Sequence, residues 1–385
     1  VIRKTIFWAH LVTGVAVGLV VLMMSVTGVL LTYERQMLAW ANGSVDTAAD
    51  ASARQSVEAL VASIALQEPG FEPTAVTISA DPAAPVLLTA GRSGTRYVNP
   101  YTAEALGAGP ERLERFFGVV EGWHRWFNAG GESRALWRNV TGVSNLGFLF
   151  LVVSGAYLWL PRVYRRAAFK ARFLFNPKAG TGRARDYNWH HVFGIWTAVP
   201  LVVVVASAVV FSYSWANDLV YRSFGEAPPQ RGLPGPPPAA GARSADAAAA
   251  DAGDSQPGLP IDDLLERAIA RAADWRSITV QLPRAGDDRV RLTLDEGDGG
   301  QPQLRHALTL DPRTGAELAW EPFSSQSAGR RARSWVRFLH TGEALGIVGQ
   351  TIAGVVSLTT ILMVWTGLAL AYRRLIVPLI KRTGR

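Results

Sequence analysis

The chain has 385 residues, 49% of them apolar, and carries a formal charge of +8 from 39 Lys and Arg against 31 Asp and Glu. It has no cysteine, which excludes disulfides, thiolate iron–sulfur clusters, blue-copper sites, C-x-x-C zinc sites and haem attached through C-x-x-C-H. Any redox centre must be held by histidine, methionine, tyrosine or carboxylate.

In chain order, the apolar residues gather in four uncharged runs, Leu11–Thr32, Val140–Leu160, Val192–Trp215 and Leu345–Tyr372. Each supplies the roughly 20 residues that a helix rising 1.5 Å per residue needs to cross a hydrocarbon core of about 30 Å. The first run follows Arg3-Lys4 and exceeds the apolar stretch of about 7–15 residues usual in a signal peptide, so it reads as a retained span, although Ala39-Trp40-Ala41 loosely resembles a cleavage site. The positive charge does not indicate nucleic acid. Arg162, Arg165, Arg166, Lys170, Arg172, Lys178, Arg183 and Arg185 crowd one short loop, and Arg3, Lys4, Arg373, Arg374, Lys381, Arg382 and Arg385 flank the ends. This positive-inside pattern predicts a multi-pass protein of a bacterial inner membrane with both termini in the cytoplasm.

The segments then read as transmembrane helix 1 (1–33), a periplasmic module (34–139), helix 2 (140–161), a basic cytoplasmic loop (162–189) and helix 3 (190–215). A second periplasmic module (216–344) and helix 4 with a cytoplasmic tail (345–385) follow. Within the second module, the Pro/Ala/Gly-rich stretch 225–260 is predicted to be a disordered linker. Each module opens with a helical pattern, at Val57, Leu60, Val61, Ile64 and Ala65 and at Leu264, Leu265, Ala268, Ile269 and Ala272. Strand-like runs follow at Ala75–Ser79, Val86–Thr89, Ile278–Leu282 and Val290–Leu294, with turns at Asn99-Pro100 and Asp311-Pro312.

The halves match each other. His10 to Gly14 aligns with His190 to Gly194, and Thr27-Gly28 with Ser207-Ala208, at an offset of 180. At an offset of 212, Val98 to Thr102 meets Leu310 to Thr314, Gly142 meets Gly354 and Gly155 meets Gly367. The chain is predicted to be a parallel duplication of helix, small α+β module and helix, forming a four-helix transmembrane bundle.

The histidines fall at the ends of these runs: His10, His190 and His191 at the inner ends, His124 and His340 at the outer ends. Two histidines facing each other across a bundle are what an axially ligated haem requires. His10 and His190 are each followed four residues later by glycine, Gly14 and Gly194, on the same helical face, which leaves space for a flat macrocycle. His10 and His190 are the inner pair, with His191 the alternative; His124 and His340 are the outer pair. Arg125 and Arg337 are candidate partners for haem propionates. Each histidine read singly could instead be an interfacial polar residue among Trp8, Trp123, Trp126, Trp189 and Trp196. His306, in a strand-like run, has no partner in this scheme and reads as structural.

The order and duplication of these features resemble the PepSY-associated transmembrane family: HxxxG opening spans one and three, Asn99-Pro100 and Asp311-Pro312 followed by Thr102 and Thr314, a histidine before spans two and four, and Gly155 and Gly367 ahead of terminal arginines. The doubled His190-His191 and the long linker depart from that pattern. The family includes inner-membrane ferrisiderophore reductases of the FoxB type, so the resemblance implies two non-covalent b-type haems and a ferric siderophore reduced in the periplasm to release Fe(II) for iron uptake. There is no G-x-G-x-x-G or Walker motif, so electrons must come from a cytoplasmic reductase or from quinol. The alternatives are a membrane-anchored PepSY binding or regulatory protein, or a siderophore or iron transporter without redox activity.

Overall fold

The computed structural model describes residues 1–42, 53–91, 94–162, 165–229, 258–283 and 287–383. Most of the expected linker, 230–257, lies outside the described residues. The chain forms two units, one of Val1–Met37, Arg112–Val220 and Arg333–Arg385, the other of Leu38–Glu111 and Tyr221–Ala332.

The first unit is helical. Its long helices are α1 (Ile2–Leu31), α5 (Ser133–Trp159), α7 (Gly182–Ser212) and α11 (Gly346–Thr383), all long and apolar enough to cross a membrane. Between them stand α2 (Glu34–Ala41), α4 (Glu111–Trp126), α6 (Arg166–Phe173), α8 (Ser214–Arg222) and α10 (Ala328–Thr341). The long helices pack in the cyclic order α1, α5, α7, α11, each against two neighbours.

Three boundaries differ from the sequence reading, each for a local reason. Helix α7 starts at Gly182, where Thr181 caps it by accepting from the Ala184 amide at 3.2 Å, so His190 sits two turns inside the helix. Its first turns carry charge because Asp186 accepts from Arg373 at 2.6 Å and from Arg185 at 3.0 Å. Neither outer histidine lies on a spanning helix. His124 ends α4 and His340 ends α10, each a separate helix ahead of its span. After α4 the chain reverses through Phe127 and Asn128, both at positive φ, with the Asn128 amide donating to the Gly122 carbonyl at 2.8 Å. After α10, Gly342 takes the positive φ.

The second unit contains α3 (Val57–Gln67), β1 (Ala75–Ser79), β2 (Val86–Thr89), β3 (Thr95–Val98), β4 (Ala105–Gly107), α9 (Ile261–Arg271), β5 (Ser277–Gln281), β6 (Val290–Asp295), β7 (Arg305–Leu310) and β8 (Glu317–Glu321). The sequence divides these elements into two modules. In the structure all eight strands join one antiparallel sheet, ordered β4-β3-β2-β1-β5-β6-β7-β8. The two halves meet at β1 and β5, where Thr77 faces Thr279 with their hydroxyls 2.9 Å apart. Alternation sends one face inward: Val290, Leu292 and Leu294 are buried while Arg291 is exposed. That face packs on α3 and α9 in a single core with Leu60, Ile64, Leu264, Ile278 and Leu308. The helices also complete each other's first turn. The Val57 amide donates to Asp262 at 3.0 Å, and the Ile261 amide donates to Glu58.

Candidate metal centres

Each of the four paired histidines meets a hydroxyl on a neighbouring spanning helix. His10 on α1 meets Ser154 on α5 at 2.8 Å, and His190 on α7 meets Thr366 on α11 at 3.1 Å. His124 on α4 meets Thr27 on α1 at 2.9 Å, and His340 on α10 meets Ser207 on α7 at 3.0 Å. The contacting atom is Nδ1 every time.

The hydroxyls assign the tautomer. Each already donates its own hydrogen back to its helix: Ser154 to Phe150 at 2.6 Å, Thr27 to Met23 at 2.8 Å, Thr366 to Leu362 at 2.9 Å and Ser207 to Val204 at 2.7 Å. A hydroxyl engaged in this way accepts from Nδ1–H, the arrangement that satisfies both groups at once. Three rings add a carbonyl, which only accepts and so requires Nδ1–H: Met363 for His190 at 3.1 Å, Val204 for His340 at 2.9 Å, and Met24 for His124. Every Nε2 is therefore a bare lone pair, and among the described residues none of the four has a hydrogen-bond partner. Neutral imidazole oriented through its other nitrogen is how proteins prepare histidine to bind metal.

The ring centres of His124 and His340 are 6.3 Å apart. Two imidazoles bound to one ion through bonds of about 2 Å each would have centres roughly 6 Å apart. His10 and His190, with His191, line one cavity of about 820 Å³. Gly14, Gly194, Gly155 and Gly367 also line it, as do Arg3, Lys4, Arg162, Arg172, Arg183 and Arg374, with no carboxylate among the described lining residues. Gly155 and Gly367 stand closest to the rings: a Cβ on them would lie 3.3 Å from Cε1 of His10 and 3.2 Å from Cε1 of His190. At Gly14 and Gly194 a Cβ would meet Leu151 at 3.8 Å and Met363 at 3.5 Å.

No group of three or more His, Cys, Asp or Glu suited to an ion occurs among the described residues. A bare zinc or iron ion would need about four donors. Two bare nitrogens suit a metal that brings its own equatorial ligands, as haem iron does. The cavity's size and positive lining suit a flat anionic macrocycle.

Along α1, Thr27 lies seventeen residues after His10; along α7, Ser207 lies seventeen after His190. At 1.5 Å per residue, the two histidine layers are about 25 Å apart. Leu201, Val205 and Val356, packed with Phe148, Leu149 and Val152, fill part of the bundle between them.

The remaining sequence candidates have other partners. His191 donates from Nδ1 to the Tyr187 carbonyl of its own helix at 2.9 Å and packs on the Tyr187 ring. Arg125 pairs with Glu121 at 2.6 Å, and Arg337 lies over the Phe338 ring; both are exposed. His306 stands 3.4 Å from Glu296 and beside Trp320, in the other unit. Sequence reasoning missed Ser154, Thr366, Thr27 and Ser207, although the repeat offsets already equated them in pairs.

A family model described as the PepSY-associated TM region matches residues 7–374. No curated protein matches the chain.

Proposed function

The chain belongs to the PepSY-associated transmembrane family, and on that premise we propose that it is a di-haem b electron conduit of the bacterial inner membrane, a haem-dependent oxidoreductase that reduces a ferric siderophore on the periplasmic side. The supporting observation is the set of four Nδ1-protonated histidines in two layers, each with an unengaged Nε2. His10 and His190 would hold the inner haem, His124 and His340 the outer one. When bound, haem iron supplies one-electron exchange between Fe(III) and Fe(II).

The chain's own contribution is placement. Ser154, Thr27, Thr366 and Ser207 fix the rings and their tautomer before any ligand arrives. Gly155 and Gly367 leave the rings uncrowded, and the basic residues at the inner cavity balance carboxylates on a macrocycle. Apolar side chains pack between the layers. The even number of spans puts both termini on one side, the cytoplasmic one by their basic flanks, and the parallel repeats give each layer one histidine from each half. At the outer layer, reducing siderophore iron to Fe(II) lowers its charge, and hard oxygen donors hold it less tightly.

The test is to purify the protein and compare oxidised with dithionite-reduced spectra at a measured haem-to-protein ratio. Two low-spin b haems per chain are expected, with reoxidation by a ferric hydroxamate and capture of Fe(II) by ferrozine. A colourless protein that takes up no added haemin ends this reading.

A further inference from the structure

We propose that the pocket between α6 and the start of α7 binds a membrane quinol, which delivers electrons to the inner histidine layer. The inference rests on the di-haem reading for the electron acceptor, while the site itself stands on its own geometry.

The pocket has a volume of about 710 Å³. Leu174, Phe175, Ala171 and Ala184 give it an apolar wall, and Lys170 and Arg183 put hydrogen-bond donors at its edge. This composition suits an aromatic ring bearing two oxygens and a hydrocarbon tail. Two of its lining residues, Arg183 and Tyr187, also line the cavity of His10 and His190, so a ring bound here shares a wall with the inner site.

Its depth indicates a lipid-borne ligand. The segment from Phe173 to Phe175 runs back along α7: the Trp196 indole donates to the Phe173 carbonyl at 3.0 Å, and the Phe175 ring packs on Phe193 at 5.0 Å. Phe193 and Trp196 belong to the first apolar turns of the span. Leu174 and Phe175 are each nearly half exposed at that level. A hydrophilic donor gains nothing from exposed apolar side chains there, whereas a quinol arriving through the lipid passes along them.

The chemistry balances with ferric haem as oxidant. Oxidation of one quinol to quinone breaks both O–H bonds, releases two protons to cytoplasmic water and gives up two electrons. These reduce two Fe(III) centres to Fe(II), one electron each.

The experiment uses the full chain in phosphatidylcholine nanodiscs. Decylubiquinone is titrated against tryptophan fluorescence, and haem reduction by decylubiquinol is followed anaerobically by stopped flow. Ala171→Trp and Ala184→Phe each fill the pocket from a different wall. Saturable quenching is expected in the parent chain, weakened at least tenfold in both variants. Reduction by decylubiquinol should slow by a similar factor, with haem content and dithionite reduction unchanged. Absence of quenching in the parent, or parent-like binding in both folded variants, overturns the proposal. So does haem that a soluble flavin reductase reduces and decylubiquinol does not. A chain that binds decylubiquinone but holds no haem refutes the di-haem reading and leaves the quinone site standing.

Discussion

Nδ1 of His10 stands 2.8 Å from Ser154 Oγ, and the contact repeats 212 residues on from Ser154, between His190 and Thr366. The difference between the two halves is one carbonyl. His190 also reaches Met363, while His10 has the hydroxyl alone. In the outer layer both rings have a carbonyl, Val204 behind Ser207 for His340 and Met24 behind Thr27 for His124.

The four hydroxyls should therefore matter unequally. Ser154→Ala leaves His10, a single-acceptor ring, without its orienting partner. Haem affinity at the inner layer should fall by about 10–100-fold, the usual cost of losing such a partner. Thr366→Ala, Ser207→Ala and Thr27→Ala retain a carbonyl acceptor, from Met363, Val204 and Met24, and should cost less than about tenfold on the same scale. Haemin titration of the apoprotein in the Soret band measures all four.

The glycines beside the rings make a spatial prediction. Gly367→Val and Gly155→Val place a branched side chain against an imidazole that a bare Cβ would already meet at 3.2 and 3.3 Å. Each should lose the inner haem and keep the outer one, giving one haem per chain by pyridine haemochrome assay. Gly14→Ala, whose Cβ would meet only Leu151 at 3.8 Å, should keep both.

Asp186 joins α7 to α11 through Arg373, one turn before His190. Its carboxylate is 2% exposed and Arg373 is 34% exposed. Removing the charge from a buried pair is destabilising, and the partial exposure of Arg373 reduces the effect to about 1–3 kcal/mol. Asp186→Asn should lower the thermal midpoint of the detergent-solubilised protein and thin the inner haem before the outer one, read from spectra recorded during the melt.

Two aspartates of the sheet unit should shape its pH dependence in opposite directions. Burial pushes the Asp262 carboxyl up, and nearby Glu58 adds to this against the Val57 amide. Its stabilising contribution is complete below the unfolded value and is lost as pH rises through the raised folded value. The Arg313 and Thr314 amides hold Asp311 below its ordinary value, so its contribution is present above the unfolded value and lost as pH falls through the lowered one. Asp262→Asn should remove the loss on the rising side; Asp311→Asn should remove the acid-side loss, since Asn99 accepts the equivalent amides without charge. Hydrogen exchange of the β5 and β7 amides across pH 3–7 checks both.

Much of the architecture was legible because the relevant signals are local. An uncharged run is apolar wherever it packs, and Val290, Leu292 and Leu294 alternate because the backbone pleat does. The helix that carries His124 was not legible. Glu111–Trp126 mixes charge and aromatic residues, and its end depends on Phe127 and Asn128 adopting positive φ, which the Phe127 side chain disfavours without tertiary support. The single sheet was hidden as well, since β1 and β5 are about 200 residues apart and either could have remained an edge.

The four apolar helices, the places of His10 and His190 on two of them and the absence of any thiolate centre follow from the sequence alone, because length, hydropathy and residue type are properties of a segment. Which nitrogen of each ring carries the proton is set by packing. That depends on a hydroxyl on another helix, already committed to its own backbone and brought within 3.1 Å by the packing of α1, α5, α7 and α11.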